Sequence, residues 1–226
     1  MELNVLYEDN HLLVVEKPRN MPVQEDASKD PDLLNTAKQF LVEKYNKPGD
    51  AFLGLVHRLD RPVGGVMLFA KTSKAASRIS NEIRLNRFNR NYLAIVRGIP
   101  NKTKDRLTDY LLKDKRKNMS SVVDPSTKNA KKAVLDYKLL AANTKENLSL
   151  LYVQLHTGRS HQIRVQLSHL GHPIYGDQKY GQKVNVPGEQ IALWAADLEI
   201  KHPTKDEKVK VECQPPREYP WNLFND

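Results

Sequence analysis

The stretch AFLGLVHRLDRPVGGVMLFA, residues 51–70, decides how this chain folds. Ala51 to Val56 is a short apolar run, and Val66 to Ala70 is another. Apolar runs of this length, bounded by Pro and Gly, read as buried strands. Between them stand His57-Arg58-Leu59-Asp60-Arg61 and Pro62-Val63-Gly64-Gly65, so Asp60 is expected in a loop with rigid supports on both sides. A carboxylate flanked by two guanidinium groups stays ionised, because nearby opposite charge favours the charged form. Such a group suits a nucleophile or a general base, and it equally suits a structural ion pair.

Upstream, Leu3 to Glu8 and Leu12 to Glu16 read as strands joined at the turn pair Asp9-Asn10, with Lys17-Pro18 ending the second. Residues 19–31 are polar loop. Asp30-Pro31 then opens a helix whose apolar face is Leu33, Leu34, Ala37, Phe40 and Leu41. Downstream, Ser73 caps a second helix with Ala76, Ile79 and Ile83 on its face, and Tyr92 to Val96 returns to strand. Residues 101–131 form a hairpin or loop excursion; Lys132 to Leu140 and Leu148 to His156 are strands. Gly158 to Ser160 precedes a third helix carrying Ile163, Leu167 and Leu170, with Arg164 at the edge of that face. Ile191 to Ile200 and Lys208 to Cys213 close the chain as strands. Many strands with three interspersed helices predict an α+β fold. At 226 residues the chain is long for one domain and short for two, and a single domain over 1–226 is expected.

The net charge is +9, which attracts polyanions. Between Lys102 and Lys132 ten basic residues face four acidic ones, so this stretch carries six of the nine charges. Charge alone leaves two readings of it: a solubilising hairpin or an RNA contact. Gly158-Arg159-Ser160-His161-Gln162 at a helix start is a phosphate site or a capping loop. His156, His161, His169 and His172 lack the further ligands a zinc site needs, and no HExxH, GxGxxG or phosphate-binding glycine loop is present, so neither a metal nor a nucleotide cofactor is expected; no Gly-x-Ser-x-Gly is present, so a serine hydrolase is not expected. The lone Cys213 excludes an intrachain disulfide. There is no basic leader with an apolar stretch, and no apolar run near the ~20 residues of a membrane span, so a cytoplasmic location is expected.

Four blocks occur in an informative order: VVEKP (14–18), VHRLD (56–60), RNYLA (90–94) and TGRSHQIRVQLSHLGHPIYGDQKYG (157–181). Together they resemble the RluA family of RNA pseudouridine synthases, from about Val5 to Pro216. The chain departs from the family pattern at Gly64-Gly65 and at Arg19-Asn20 after Lys17-Pro18. The resemblance implies a mixed, mainly antiparallel sheet flanked by helices, and isomerisation of uridine in ribosomal or transfer RNA without a cofactor. It implies Asp60 as the catalytic carboxylate, Tyr92 as the residue stacking on the target base, and Arg164 as the arginine paired with the aspartate. Arg58 matches a residue that helps displace the target nucleotide, Leu193 one that packs on the base, and Lys17 and Arg159 are RNA-contact candidates. Many relatives carry a small RNA-binding domain before the catalytic one; here the catalytic pattern begins at once, so that domain is expected to be absent. A monomer is expected. Two other classes fit parts of the sequence: a non-catalytic RNA-binding protein, which the charge suits equally, and a glycosidase, which needs a second carboxylate that is not seen near Asp60.

Overall fold

A computed structural model describes residues 3–224. In chain order the elements are β1 (Val5–Glu8), β2 (Leu12–Lys17), α1 (Leu33–Lys44), β3 (Gly54–Leu55), β4 (Gly64–Ala70), α2 (Ser73–Arg84), β5 (Asn89–Arg97), β6 (Lys104–Asp114), β7 (Met119–Val122), β8 (Lys131–Asn143), β9 (Leu148–Leu155), α3 (Gln162–His169), β10 (Leu193–Lys201) and β11 (Lys208–Glu212), then a 3₁₀ turn at Trp221–Phe224. The fold is α+β and its sheet structure is mostly antiparallel, as expected. No helix among the described residues is long and apolar enough to cross a membrane.

Two compact units are distinguishable. One takes in the chain through Arg90 together with Ala195–Gln214; the other takes in Asn91–Trp194 and the chain from Pro215.

In the first unit the strand order is β1-β2-β4-β10, with β11 beside β10 and β3 beside β4. The β1–β2 turn forms because Asp9 Oδ1 accepts from the backbone N–H groups of His11 and Leu12, both at 2.7 Å. Leu12, Leu13, Val14 and Val15 are all fully buried, as is every residue of β4. Such unbroken apolar runs mark strands covered on both faces, whereas half-exposed strands alternate. Gly65 has φ +112°, and a Cβ there would lie 2.2 Å from the Ala195 carbonyl oxygen, so only glycine lets the backbone segments approach.

Both helix caps in this unit differ from expectation by residues. Asp32, not Asp30, caps α1 by accepting from Asn35 N at 3.0 Å. Thr72, not Ser73, caps α2 by accepting from Ala75 N at 3.2 Å. In each case the capping oxygen belongs to the last extended residue before the helix, which is what cap geometry requires.

The second unit is an antiparallel succession β5-β9-β8-β6-β7. The basic stretch is the β6–β7 hairpin and the start of β8. α3 packs on β6 and β7, where Val165 joins Leu111 and Ala133. His161, in the left-handed region at φ 54°, turns the chain into α3.

Candidate active site

In the first unit, residues 56–63 link β3 to β4, and both ends of this loop are anchored from within. His57 is half-buried, with its Nδ1 sealed from solvent, and its Nε2 accepts from Leu68 N at 2.9 Å. Its ring meets Phe88 edge-on at 5.2 Å. Burial, and then the charge of Arg90, lower its pKa to about 3, so the imidazole is neutral and acts as an anchor. The residues flanking Asp60 are fixed by the tight turn Val63 N to Asp60 O, 3.0 Å, and by burial of Leu59 and Val63.

Lys17 holds the other end. Its side chain was expected to be an RNA contact, but Lys17 is fully buried (0% exposed), and its Nζ donates to the carbonyls of Pro18 (2.8 Å), Arg61 (2.9 Å) and Val63 (2.8 Å). An ammonium with three carbonyls in a dry site is a clamp on the Asp60 loop. Desolvation pulls its pKa down to about 7, the negative charge of Asp60 opposes that fall, and Arg61 adds to it. Asp60 itself is half-buried and Arg58 is exposed beside it.

Arg61 corrects the picture of an aspartate between two guanidinium groups. Its Nε donates to Asn20 O (3.1 Å) and its Nη1 to Ser28 Oγ (3.0 Å), while Asp30 and Asp26 (3.5 Å) bind the same guanidinium. Arg61 thus ties loop 19–31 to the Asp60 loop. Lys17 is a cation whose charge couples to Asp60.

In the second unit, Tyr92 lies on β5 opposite Val153 and is 6% exposed. Leu193 opens β10 and is buried. Arg164 lies on α3, where Gln162 to Leu167 are all buried. Its Nε donates to Asp177 Oδ2 at 2.8 Å and its Nη2 to Asp177 Oδ1 at 2.7 Å. The guanidinium carbon sits 5.3 Å from the Tyr180 ring centre. Before α3, Gln162 Oε1 accepts from Thr157 Oγ1 (2.8 Å) and Arg159 N (3.0 Å), so the Gly158–Ser160 loop is held by a side chain of the helix it precedes. Arg159 is exposed, with its Nε on Lys132 O at 2.9 Å.

The basic stretch is partly neutralised by acidic side chains in and near it. Arg106 grips Asp136 through two bonds (2.6 and 2.8 Å), and Lys102 bonds Asp105. The hairpin tip is different: Lys113, Lys115, Arg116 and Lys117 are exposed, and Asp114 Oδ1 is spent on the backbone N–H groups of Arg116 and Lys117. Of the four histidines, His156 faces Asp136, His161 faces Tyr180 and His172 faces Arg97 O. Among the described residues no three His, Cys, Asp or Glu side chains are grouped to hold a metal.

Sequence reasoning missed the Lys17 clamp and the carboxylate of Asp177. A signal for the first was available: Lys17 follows directly on the apolar run Leu12–Val15 and Glu16, at the end of a strand whose first four residues are fully buried. Asp177 stood unassigned within the long block 157–181.

Residues 11–169 match the family described as RNA pseudouridylate synthase. This span holds Lys17, Arg58, Asp60, Tyr92, Arg159 and Arg164; Asp177 and Leu193 lie beyond it. The uncharacterized RNA pseudouridine synthase YhcT of Bacillus subtilis is 33% identical over 215 residues, 94% of this chain and 68% of that protein. The ribosomal large subunit pseudouridine synthase D of Pseudomonas aeruginosa is 32% identical over 240 residues, 99% of this chain and 71% of that one. Among solved structures, human RNA pseudouridylate synthase domain containing 4 superposes with a TM-score of 0.80 at 24% identity, covering 97% of this chain and 91% of its own.

Proposed function

This chain belongs to the RNA pseudouridylate synthase family, and from that premise we propose that Asp60 is the carboxylate with which it isomerises uridine to pseudouridine in RNA. The observation that carries the assignment is the Lys17 clamp. A buried ammonium, bonded to three carbonyls around the loop, fixes the segment that presents a half-buried aspartate. Placing a reacting group on so constrained a loop lowers the entropic part of the barrier.

The reaction breaks the bond from ribose to ring nitrogen, rotates the base and rejoins it through ring carbon five. Atoms and electrons balance within the substrate, so the chemistry needs no cofactor. The target base first leaves its stack, at a cost of a few kcal/mol, and the exposed Arg58 fills the space it vacates. Asp60 then acts on the ribose, either by adding to the anomeric carbon or by taking the adjacent ribose proton. Tyr92 stacks on the uracil and takes part in proton transfer. Leu193 packs on the base, and Arg164 orients the Asp60 carboxylate by a charge-assisted pair. Lys17 is reassigned from RNA contact to support of the loop.

Arg159 and the tip Lys113–Lys117 meet the RNA backbone. The name of the Pseudomonas aeruginosa relative favours ribosomal over transfer RNA as the substrate. The chain is read as a single catalytic domain, each unit being built from two separate stretches of it. The enzyme acts as a cytoplasmic monomer. A glycosidase is disfavoured because Asp26 and Asp30, the acids tied to this loop, are both engaged by Arg61.

The test is tritium release from RNA labelled at uridine carbon five, with ribosomal and transfer RNA offered separately and no metal added. Wild type should release tritium and Asp60→Asn should not, while still binding RNA. Release by Asp60→Asn at the wild-type rate sinks the assignment, and free uracil among the products points to a glycosidase.

A further inference from the structure

Arg164 is 5% exposed, and a buried guanidinium needs both a counter-charge and a fixed plane. Asp177 supplies both. Its side chain is completely buried and takes the Nε–Nη2 edge of Arg164 in a two-point pair. The carboxylate is itself held by more than Arg164: Oδ1 also accepts from the backbone N–H groups of Lys179 (2.9 Å) and Tyr180 (3.2 Å). Its backbone is fixed too. The Asp177 carbonyl accepts from Gly181 N (3.0 Å) and Asn185 Nδ2 (3.2 Å). The preceding Gly176, at φ +72°, lies so close to Gln190 that a Cβ would fall 2.3 Å from its carbonyl oxygen. Tyr180 closes the other side, its ring over the guanidinium and its hydroxyl bonded to Ser120 N and His161 Nδ1, both at 2.8 Å.

Neutralising a buried charge needs only a nearby anion. Holding that anion with two further backbone donors, on a segment pinned at both its carbonyl and its preceding glycine, is a device for placement. A buried ion pair is poor value for stability alone, since packed apolar residues do as well or better. We propose that Asp177 is a positioning residue of the isomerisation: it sets the plane of Arg164, and with it the direction of the guanidinium donors outside the Asp177 pair. This rests on the reading of Arg164 as the partner of Asp60.

The experiment measures single-turnover tritium release and RNA affinity for wild type, Asp177→Asn, Asp177→Glu, Arg164→Lys and the double variant Asp177→Asn/Arg164→Lys, with thermal melts alongside. Asp177→Asn should slow the chemical step about 100-fold, the scale of a misplacement near 1 Å, with RNA affinity within about 2-fold of wild type. In the Arg164→Lys background the same change should add little, because the two residues act as one unit. A rate for Asp177→Asn within about 3-fold of wild type, or a loss that multiplies fully onto that of Arg164→Lys, overturns the proposal. If Asp177→Asn melts below the assay temperature, Asp177→Glu decides. It keeps the charge but shifts the carboxylate by one methylene, and a wild-type rate there is equally fatal. A wild-type rate for Arg164→Lys instead strikes the reading of Arg164, whatever Asp177 does.

Discussion

Replacing Lys17 by Met keeps the length of the side chain, removes its charge and leaves three carbonyls without their donor. Two opposing quantities follow from the structure. Each orphaned buried carbonyl costs about 1–3 kcal/mol; the Val63 bond is buried and those to Pro18 and Arg61 are part-buried, so the loss runs from about 1 to at most about 9. Against this, the wild type bears the cost of desolvating an ammonium, seen as a pKa lowered from 10.5 to about 7. At 1.36 kcal/mol per unit that cost is about 5 kcal/mol. The second quantity depends on pH, and the first holds in full only while Lys17 is an ammonium, because the neutral amine has two N–H donors for three carbonyls. Below pH 7 folded and unfolded chains both hold the proton, and the burial cost is present in full. Between about 7 and 10.5 only the unfolded chain holds it, so unfolding takes up a proton and rising pH stabilises the wild-type fold. Lys17→Met has no such group. The stability gap between wild type and variant should therefore widen by about 1.4 kcal/mol per pH unit above 7, or by about 3 kcal/mol from pH 7 to pH 9. Below pH 7 it should be flat and near its smallest. Urea unfolding of both proteins at pH 6, 7, 8 and 9 measures this directly. A gap that stays constant from 6 to 9 refutes the reasoning, because it means that Lys17 titrates as an ordinary surface lysine. The variant should also lose activity at every pH, since the Asp60 loop has lost its clamp.

Gly65→Ala places a methyl against the Ala195 carbonyl at a positive φ, and should cost roughly 3 kcal/mol or more, read as a fall in the urea midpoint; an unchanged midpoint denies the close approach of the two segments. Changing Lys115, Arg116 and Lys117 together to Ala should leave stability within about 0.5 kcal/mol, because all three are exposed. If the hairpin tip meets RNA phosphates, the same triple change lowers the slope of log affinity against log salt by about 2. An unaltered slope returns the hairpin to a purely solubilising role.

The strands and helices were legible in the sequence because each rests on neighbours a few residues apart. Apolar runs gave β2 and β4, and helical spacing gave α1 and α2. Even the errors there were local: Asp30 and Asp32 are both capping acids two residues apart, and only Asp32 is the last extended residue. α3 was legible as well, but the covering of its polar residues was not. Arg164 sits at the margin of the apolar stripe when the helix is drawn alone, yet Gln162 to Leu167 are all covered in the fold.

What the sequence determined by itself was the family, through four ordered blocks, together with the positive charge concentrated between Lys102 and Lys132. What only the tertiary structure decided was which cation serves which anion. Arg61 stands next to Asp60 in the chain, yet its guanidinium binds Asp26, Ser28 and Asp30. Lys17 stands 44 and 46 residues from the carbonyls of Arg61 and Val63 that it holds. Arg164 finds Asp177, 13 residues on, in a loop with no periodic signal of its own. Periodicity encodes which face of a segment is buried, a property of that segment alone. An ion pair inside the protein is set by which segments are packed together and by which charges burial leaves without water, and neither is written in the spacing of residues along the chain.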